Sequence, residues 1–560
     1  MTDKTGLRSR LFRHLDGIAT AHVAMTLRNR GVLDFLLSQG KTTLDELTER
    51  FEANDGYLNV AMRTLASQGW LEFATDDHSD EVRYSVNERT AAVVDLVAAF
   101  EPVISFSHRA EQYQPDTLHP ELIGELGILL DRLAAGWFPV LADSAAERSL
   151  QDQIRIHVEG CLIGPILVRL AMDGVLHDAA SEQVLHPEDA PAYATSLGKV
   201  LSFLADIGWA VEREDAYTLT EVGEFFARRA SAYGVIVSYL PMFRKLDAMI
   251  FGDPATLRHI APGEDEQHVD RETNIWGSGG AHANYFRVVD DIIVELFNRP
   301  IAEQPRGILD MGCGNGAFLA HLFRLINKQT LRGEMLAEHP LRLIGADYYR
   351  AALDVTRRNL AEWGVPADVI WGDIGQPDQL ACDLKDEFDL DLKDMLNVRT
   401  FLDHNRIWEP PPPKHYRRSS TSHGTFAYRG ERINNSALEV NLYHHLKDWA
   451  PYVQKFGLLI IELHSVPPAL VAANLGATAA TAYDAAHGFS DQYIVEIDVL
   501  HRIAADAGLV SDTGHFRRFP DSELATISIS LFHGTESGLS LSGTGSEELI
   551  HKSDLEEQTT

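Results

Sequence analysis

The chain has 560 residues, 45% hydrophobic and 23% charged, with a net charge of −33 at pH 7. That length implies roughly two to four domains with ample core, and the acidity repels nucleic-acid backbones and anionic membranes, so neither partner is expected. The three cysteines, Cys161, Cys313 and Cys382, lie far apart without zinc spacing, which leaves nitrogen and oxygen ligands for any metal.

The start, MTDKTGLRSRLFRHLDG, has no apolar stretch of signal-peptide type, and no apolar run is read as approaching the roughly 18 residues of a membrane span, so a cytoplasmic protein is expected. A repeat follows. The segments 30–40, 58–76 and 83–94 are echoed by 173–183, 193–215 and 216–228. In each copy a periodic helix ends at a Gly-Trp pair, a short hairpin follows, and a Thr- or Asn-led segment starts another helix. That order predicts two winged-helix modules. Reading DNA needs a basic recognition helix, but NVAMRTLASQ and TSLGKVLSFLADI carry one basic residue each, so a dimerisation base or a lid is expected instead.

From about residue 285 short apolar runs alternate with amphipathic helices, which predicts a doubly wound parallel sheet. The first strand, 306–310, runs into MGCGNGAFL. Asp310, Gly312, Gly314 and Gly316 have D-x-G-x-G-x-G spacing, with Cys313 inside the turn. Glycines let the backbone turn tightly beside a ligand, and the acid at the strand tip suits the ammonium of S-adenosylmethionine better than a dinucleotide. The second strand, 341–347, ends in Asp347, placed for a ribose diol. It follows Asp310 by more than the usual spacing of about 20 residues, so 327–340 is read as an inserted loop. The third strand lies in 367–376 and brings Gly372, Asp373 and Ile374 to the adenine.

A fourth strand is predicted over 387–396, then an insertion with four consecutive prolines, which exclude helix. Asp403 and His404 begin this insertion at the substrate edge of the sheet. Lys414, His415, Arg417, Arg418, Arg429 and Arg432 make it locally cationic, which would suit a phosphopantetheine arm or an acidic carrier protein. The fifth strand, GLLIIELHSV, sets His464 over the cleft as hydrogen-bonded neighbour, base or ligand. A Gly- and Ala-rich stretch from Ala472 to Ala486 reads as a close-packed segment, and Gln492 is read as opening the next helix.

The segments HVDRETNIWGSGGAHANYF, ILDMGCGNGAFL, VRTFLDHNR, LLIIELHSVPP and ANLGATAATAYDAAHGFSDQYIVEIDVL together resemble the metal-dependent C-methyltransferases of polyketide synthase loading modules of the apratoxin and saxitoxin type. The resemblance implies a class I Rossmann-like methyltransferase core under a mainly helical N-terminal region. It also implies S-adenosylmethionine, an iron or manganese ion held by His464 and Gln492, and malonyl or methylmalonyl on an acyl carrier protein. Gly279 and Tyr348 join the cofactor set on this reading, and His404, Asp403, Tyr348 and Tyr285 are the candidates to act on substrate. The expected domains are 1–100 and 101–255, both winged-helix-like, 256–535 as the methyltransferase, and a disordered tail over 536–560. The runner-up is a metal-free O-methyltransferase in which His404 or His464 deprotonates a hydroxyl.

Overall fold

The structure, a computed structural model, describes residues 3–75, 80–110, 120–176, 183–191, 194–214, 216–257, 267–411 and 419–534. The expected tail lies outside them. In the N-terminal half, α1 (Lys4–Asn29) is capped by Asp3, whose carboxylate accepts the Gly6 N–H at 3.0 Å. α2 (Asp55–Ser67) is followed by Gly69 at φ +73°, then the hairpin of Glu72–Thr75 with Val82–Ser85. α3 (Ala145–Met172) leads to α4 (Ala194–Asp206), Gly208 at φ +77° and the hairpin of Ala210–Arg213 with Ala216–Leu219. In both copies the left-handed glycine stops the helix and the tryptophan after it, Trp70 or Trp209, is buried under the hairpin. These are the two winged-helix modules.

The modules share one hydrophobic core. α1 and α3 cross with their backbones touching: a Cβ on Gly17 would stand 2.3 Å from His157 Cα, and one on Gly160 would stand 2.4 Å from the His14 carbonyl oxygen. α2 is buried from Gly56 through Ser67, so it has no face to lay in a DNA groove. It packs on the C-terminal half instead. One stretch, Thr90–Arg109, does have the length and hydropathy of a membrane span, contrary to the sequence reading. Val93, Val97, Phe100, Val103 and Phe106 along it are buried in the shared core.

Between the halves, α5 (Ala230–Ser238) and α6 (Arg271–Phe286) meet at Gly234 and Gly277, where an added Cβ on either would lie 2.6 Å from the other's Cα. The C-terminal half is a sheet with helices on both faces. Its strands are β1 (Gly307–Met311), β2 (Arg342–Asp347), β3 (Asp368–Trp371), β4 (Met395–Thr400), β5 (Leu458–Leu463), β6 (Leu509–Ser511), β7 (Arg517–Phe519) and β8 (Ile527–Gly534). β3, β2, β1, β4 and β5 run parallel in that spatial order. β8 then inserts antiparallel between β5 and β6, and β7 pairs with it. The expected Rossmann-like core is present, but the sheet is mixed.

Four local expectations are corrected or refined. The fourth strand begins at Met395, because Pro377–Phe388 is a helix and Asp391 caps a single turn before the strand. The inserted loop before β2 contains a short helix, Leu331–Glu334. The small-residue stretch folds in part as α8 (Ala480–Phe489), whose buried Ala482, Ala485 and Ala486 let it pack between α1 and α2. Gln492 sits in the connection after α8, and the next helix starts at Ile497.

Candidate active site

β1 delivers the glycine turn. Gly312, Gly314 and Gly316 have φ of +80°, +54° and +80°, a region that residues with a Cβ rarely adopt, and α7 (Ala317–Gln329) starts directly after them. The Gly312 and Cys313 N–H groups both donate to Ala346 O, at 2.8 and 3.1 Å, which ties the turn to β2. An added Cβ on Gly314 would meet nothing within 4 Å, so the turn leaves an open cradle there. Asp347, at the tip of β2, accepts the Gly314 N–H at 3.1 Å and the Tyr349 N–H at 2.9 Å.

Asp310 is buried, and its Oδ1 has no hydrogen-bond partner among the described residues. Burial, with the Asp347 charge adding to it, pushes its carboxyl up to about 8. A buried carboxylate left unpaired is costly. An ammonium group from a ligand would satisfy it, and the open cradle beside it would take the rest of an amino-acid moiety.

On the outer rim, Tyr348 is 46% exposed and its ring lies 5.9 Å from that of Trp371, whose indole N–H donates to Tyr348 O. Gly372 donates its N–H to Asp347 O at 3.1 Å. Asp373 is taken up locally by the Gly375 N–H and the Gln376 side chain. Ile374 is turned into the sheet core, and its carbonyl accepts the Trp449 indole N–H at 2.7 Å. A place for it against adenine is therefore not supported, because its side chain is packed among helices.

The other wall of the cleft rises from the turn after β4. Leu402 rests on Gly312, where an added Cβ would come within 2.9 Å of its Cδ2, so the turn carrying His404 abuts the cofactor loop. His404 donates its Nδ1–H to Glu462 Oε1 at 2.6 Å, and both side chains are buried. Asp403 is not the acting group. Burial alone would raise its carboxyl, but Arg399, at 2.5 Å, and His445, at 2.9 Å, hold it well below the usual carboxylate range. Its task is to anchor the turn, with Arg399 stacked 4.1 Å over Trp449.

Two residues that the sequence reading passed over complete this wall. Glu462 is the single charge in the apolar run LLIIEL, a signal that was open to reading. His487, on α8, places its ring 5.1 Å from that of His404 at an interplanar angle of 78°. Its Nδ1–H donates to Tyr483 O at 2.7 Å, and burial, with His404 beside it, lowers its pKa to about 3. Gln492 joins them: its backbone N–H donates to His487 O, the Tyr493 N–H donates to His404 O, and its side-chain amide donates to Asn405 Oδ1 at 2.9 Å.

His464 does not join them. It is fully buried, its Nδ1–H donates to Val495 O at 2.9 Å, and its Nε2 accepts the Ser528 hydroxyl at 2.7 Å. With both ring nitrogens engaged it offers no lone pair, so the His464–Gln492 pair does not fit a metal ion. Among the described residues no cluster of three or more His, Cys, Asp or Glu side chains could hold one. Tyr285 is also a core residue, its ring packed against Phe401 and Phe519 and its phenol raised by burial, away from a base. Gly279 lies inside α6 with open space where a Cβ would stand. Cys313 is buried, its thiol 3.5 Å from the Thr356 hydroxyl. Of the cationic insertion, Arg432 is paired with Asp80 and Arg429 is exposed over Tyr428, whereas Lys414, His415, Arg417 and Arg418 lie outside the described residues.

Family models match three consecutive parts of the chain: an AprA N-terminal domain over residues 7–73, an AprA winged helix domain over 159–253, and an AprA MT2-like domain over 266–530. The chain is an AprA-type methyltransferase. It is accordingly an S-adenosylmethionine-dependent methyltransferase, and the unpaired Asp310, the Gly314 cradle and Asp347 fit that cofactor. Similar solved structures include an O-methyltransferase family protein from Burkholderia thailandensis, at 14% identity and TM-score 0.38 over 71% of this chain and 100% of that one. An O-methyltransferase family 2 protein from Planctomyces limnophilus, solved with apigenin, is similar at 12% identity and TM-score 0.38 over 95% and 96%. The CurJ carbon methyltransferase is similar at 12% and 0.33 over 75% and 99%. No curated protein matches the AprA-type chain.

Proposed function

We propose that this AprA-type enzyme methylates carbon: it transfers the S-adenosylmethionine methyl group to the α-carbon of a malonyl or methylmalonyl thioester on an acyl carrier protein, in polyketide assembly in the cytoplasm. The observation that carries the reading is the buried His404–Glu462 pair, held beside the cofactor loop through Leu402 and Gly312. When bound, S-adenosylmethionine supplies a methyl group activated on a sulfonium. Asp310 binds its ammonium, the Gly314 turn admits its backbone atoms, and Asp347 has lone pairs left for the ribose hydroxyls.

A carbon acceptor must first lose a proton, and a malonyl thioester gives one up from the carbon between its thioester carbonyl and its carboxylate, as the enolate, to a base held over it. Glu462 fixes the proton of His404 on Nδ1, so Nε2 presents its lone pair as the base, and the carboxylate steadies the imidazolium that results. Arg399 and Arg406 are buried near Asp403 and Glu462, opposite in charge to both. Incubation with malonyl- and methylmalonyl-carrier protein, read by mass spectrometry of the carrier, tests this. Added methyl groups that depend on His404 support it, and an untouched carrier in the presence of bound cofactor refutes it.

The same pair also favours one other reading, metal-free O-methylation, because a carboxylate-backed imidazole can equally take a hydroxyl proton. A phenolic acceptor methylated in place of the malonyl carrier would establish that reading.

A further inference from the structure

We propose that Asp491 is a positioning residue through which the N-terminal winged-helix module sets the acceptor wall of the methyltransferase. The inference rests on reading His404 as the base of the transfer. Asp491 directly precedes Gln492 and stands at φ +59°, in the left-handed region that a residue with a Cβ rarely adopts. Its carboxylate holds it there. Oδ1 accepts the Tyr57 hydroxyl at 2.8 Å and the Arg429 N–H at 3.2 Å, so one oxygen ties this turn to two segments far away in the chain.

Both segments are anchored. Tyr57 is fully buried in the first turn of α2, and its ring lies 5.9 Å from that of Phe489, the last residue of α8. Arg429 and Gly430, at φ +50° and +90°, make the tight turn of a ribbon that pairs Phe426–Tyr428 with Glu431–Ile433. The start of α2 grips that turn: the Gly56 N–H donates to Gly430 O at 2.8 Å, and Asp55 accepts the Arg432 N–H at 2.9 Å. An added Cβ on Gly56 would stand 2.7 Å from the Glu431 carbonyl carbon, so the two backbones touch. The helix that would read DNA in a nucleic-acid-binding module thus holds a ribbon of its own chain.

Asp491 passes this restraint on to His404. The two residues after it hold the turn that carries the base: the Gln492 side-chain amide donates to Asn405 Oδ1 at 2.9 Å, and the Tyr493 N–H donates to His404 O at 2.8 Å. Glu462, by contrast, is fixed within β5. The 2.6 Å contact between His404 and Glu462 therefore depends on where residues 491–493 stand, and Asp491 places them from the N-terminal module.

The test uses the full chain with three substitutions. Tyr57→Phe removes only the hydroxyl, Asp491→Gly keeps the left-handed turn but removes the carboxylate, and Asp491→Asn keeps both the turn and an accepting oxygen. In methyl transfer to the malonyl carrier, kcat should fall about 10- to 100-fold in Tyr57→Phe and Asp491→Gly, the cost of a misplaced reacting group, with KM for the cofactor unchanged. The double variant should be no worse than either single one, and Asp491→Asn should recover most of the rate. A second readout needs no acceptor. The downfield proton resonance of the His404 Nδ1–H, identified by its loss in His404→Asn, should move upfield in Tyr57→Phe and Asp491→Gly and keep its place in Asp491→Asn. Wild-type kcat or an unmoved resonance in Tyr57→Phe and Asp491→Gly, or additive losses in the double variant, would overturn the role of Asp491. A resonance that moves as predicted in a chain that leaves the malonyl carrier unmodified sinks the proposed acceptor and leaves that role standing.

Discussion

His404 and Glu462 meet at 2.6 Å, one on the turn after β4 and the other inside β5, with the imidazole between the carboxylate and the cleft. Two neighbouring parallel strands thereby set a base and its orienting acid without help from a mobile loop. Glu462 also accepts the His404 and Leu463 backbone N–H groups, at 3.2 and 2.7 Å, so its own position is fixed.

This pair predicts a split between activity and stability. Glu462→Gln keeps the shape but loses the charge that holds the Nδ1 proton, and kcat should fall about 10²- to 10⁴-fold, the usual worth of a positioned general base. Cofactor affinity, read by calorimetry, should stay unchanged.

Asp310 predicts a proton released on cofactor binding. Its carboxyl stays protonated up to about pH 8 in the free protein, while the cofactor's ammonium favours the ionised form. Affinity should therefore rise with pH until about 8, about tenfold per unit, and then level off. Titration calorimetry in buffers of different ionisation enthalpy counts the proton, and Asp310→Asn should abolish both the slope and the release. The free protein should lose stability over the same range, because the unfolded chain gives up this proton first.

Gly314→Ala should weaken cofactor binding more than folding. The new methyl group meets no protein atom, but it occupies the cradle at φ +54°. A melting temperature that fell in step with affinity would instead assign Gly314 to the fold.

Arg63 joins the N-terminal module to the site. From α2 it pairs with Asp484 on α8 and donates to Ser465, Val466 O and His423 O, at 3.0, 2.9 and 2.8 Å. Arg63→Ala strands a buried carboxylate and should cost about 3–5 kcal/mol in denaturant unfolding. Activity should drop with it, because α8 carries His487.

The sequence was most legible where chemistry and backbone coincide. Asp310 and the three glycines follow from spacing, because a strand, a left-handed turn and a helix leave them few positions, and Asp347 follows from its place at the tip of the next strand. His464 was misread for a different reason: sequence places it at a strand end, but its nearest donor, Ser528, lies on β8, which enters antiparallel from the far end of the chain. The fourth strand was misplaced because Phe388, Leu390 and Leu392 alternate like a strand, whereas Pro377 starts a helix and Asp391 caps a turn. His487 was hidden in a run of small residues whose packing between α1 and α2 depends on partners more than 400 positions away, as with Ser67 and Thr481.

The role of His404 is tested most directly by methyl transfer to malonyl-carrier protein by wild type and His404→Asn side by side, with cofactor binding checked in both. A methylated carrier is expected from the wild type, almost none from the variant, and equal cofactor affinity in both. Equal methylation by both proteins, or a wild type that binds cofactor and leaves the carrier unmodified, would contradict it.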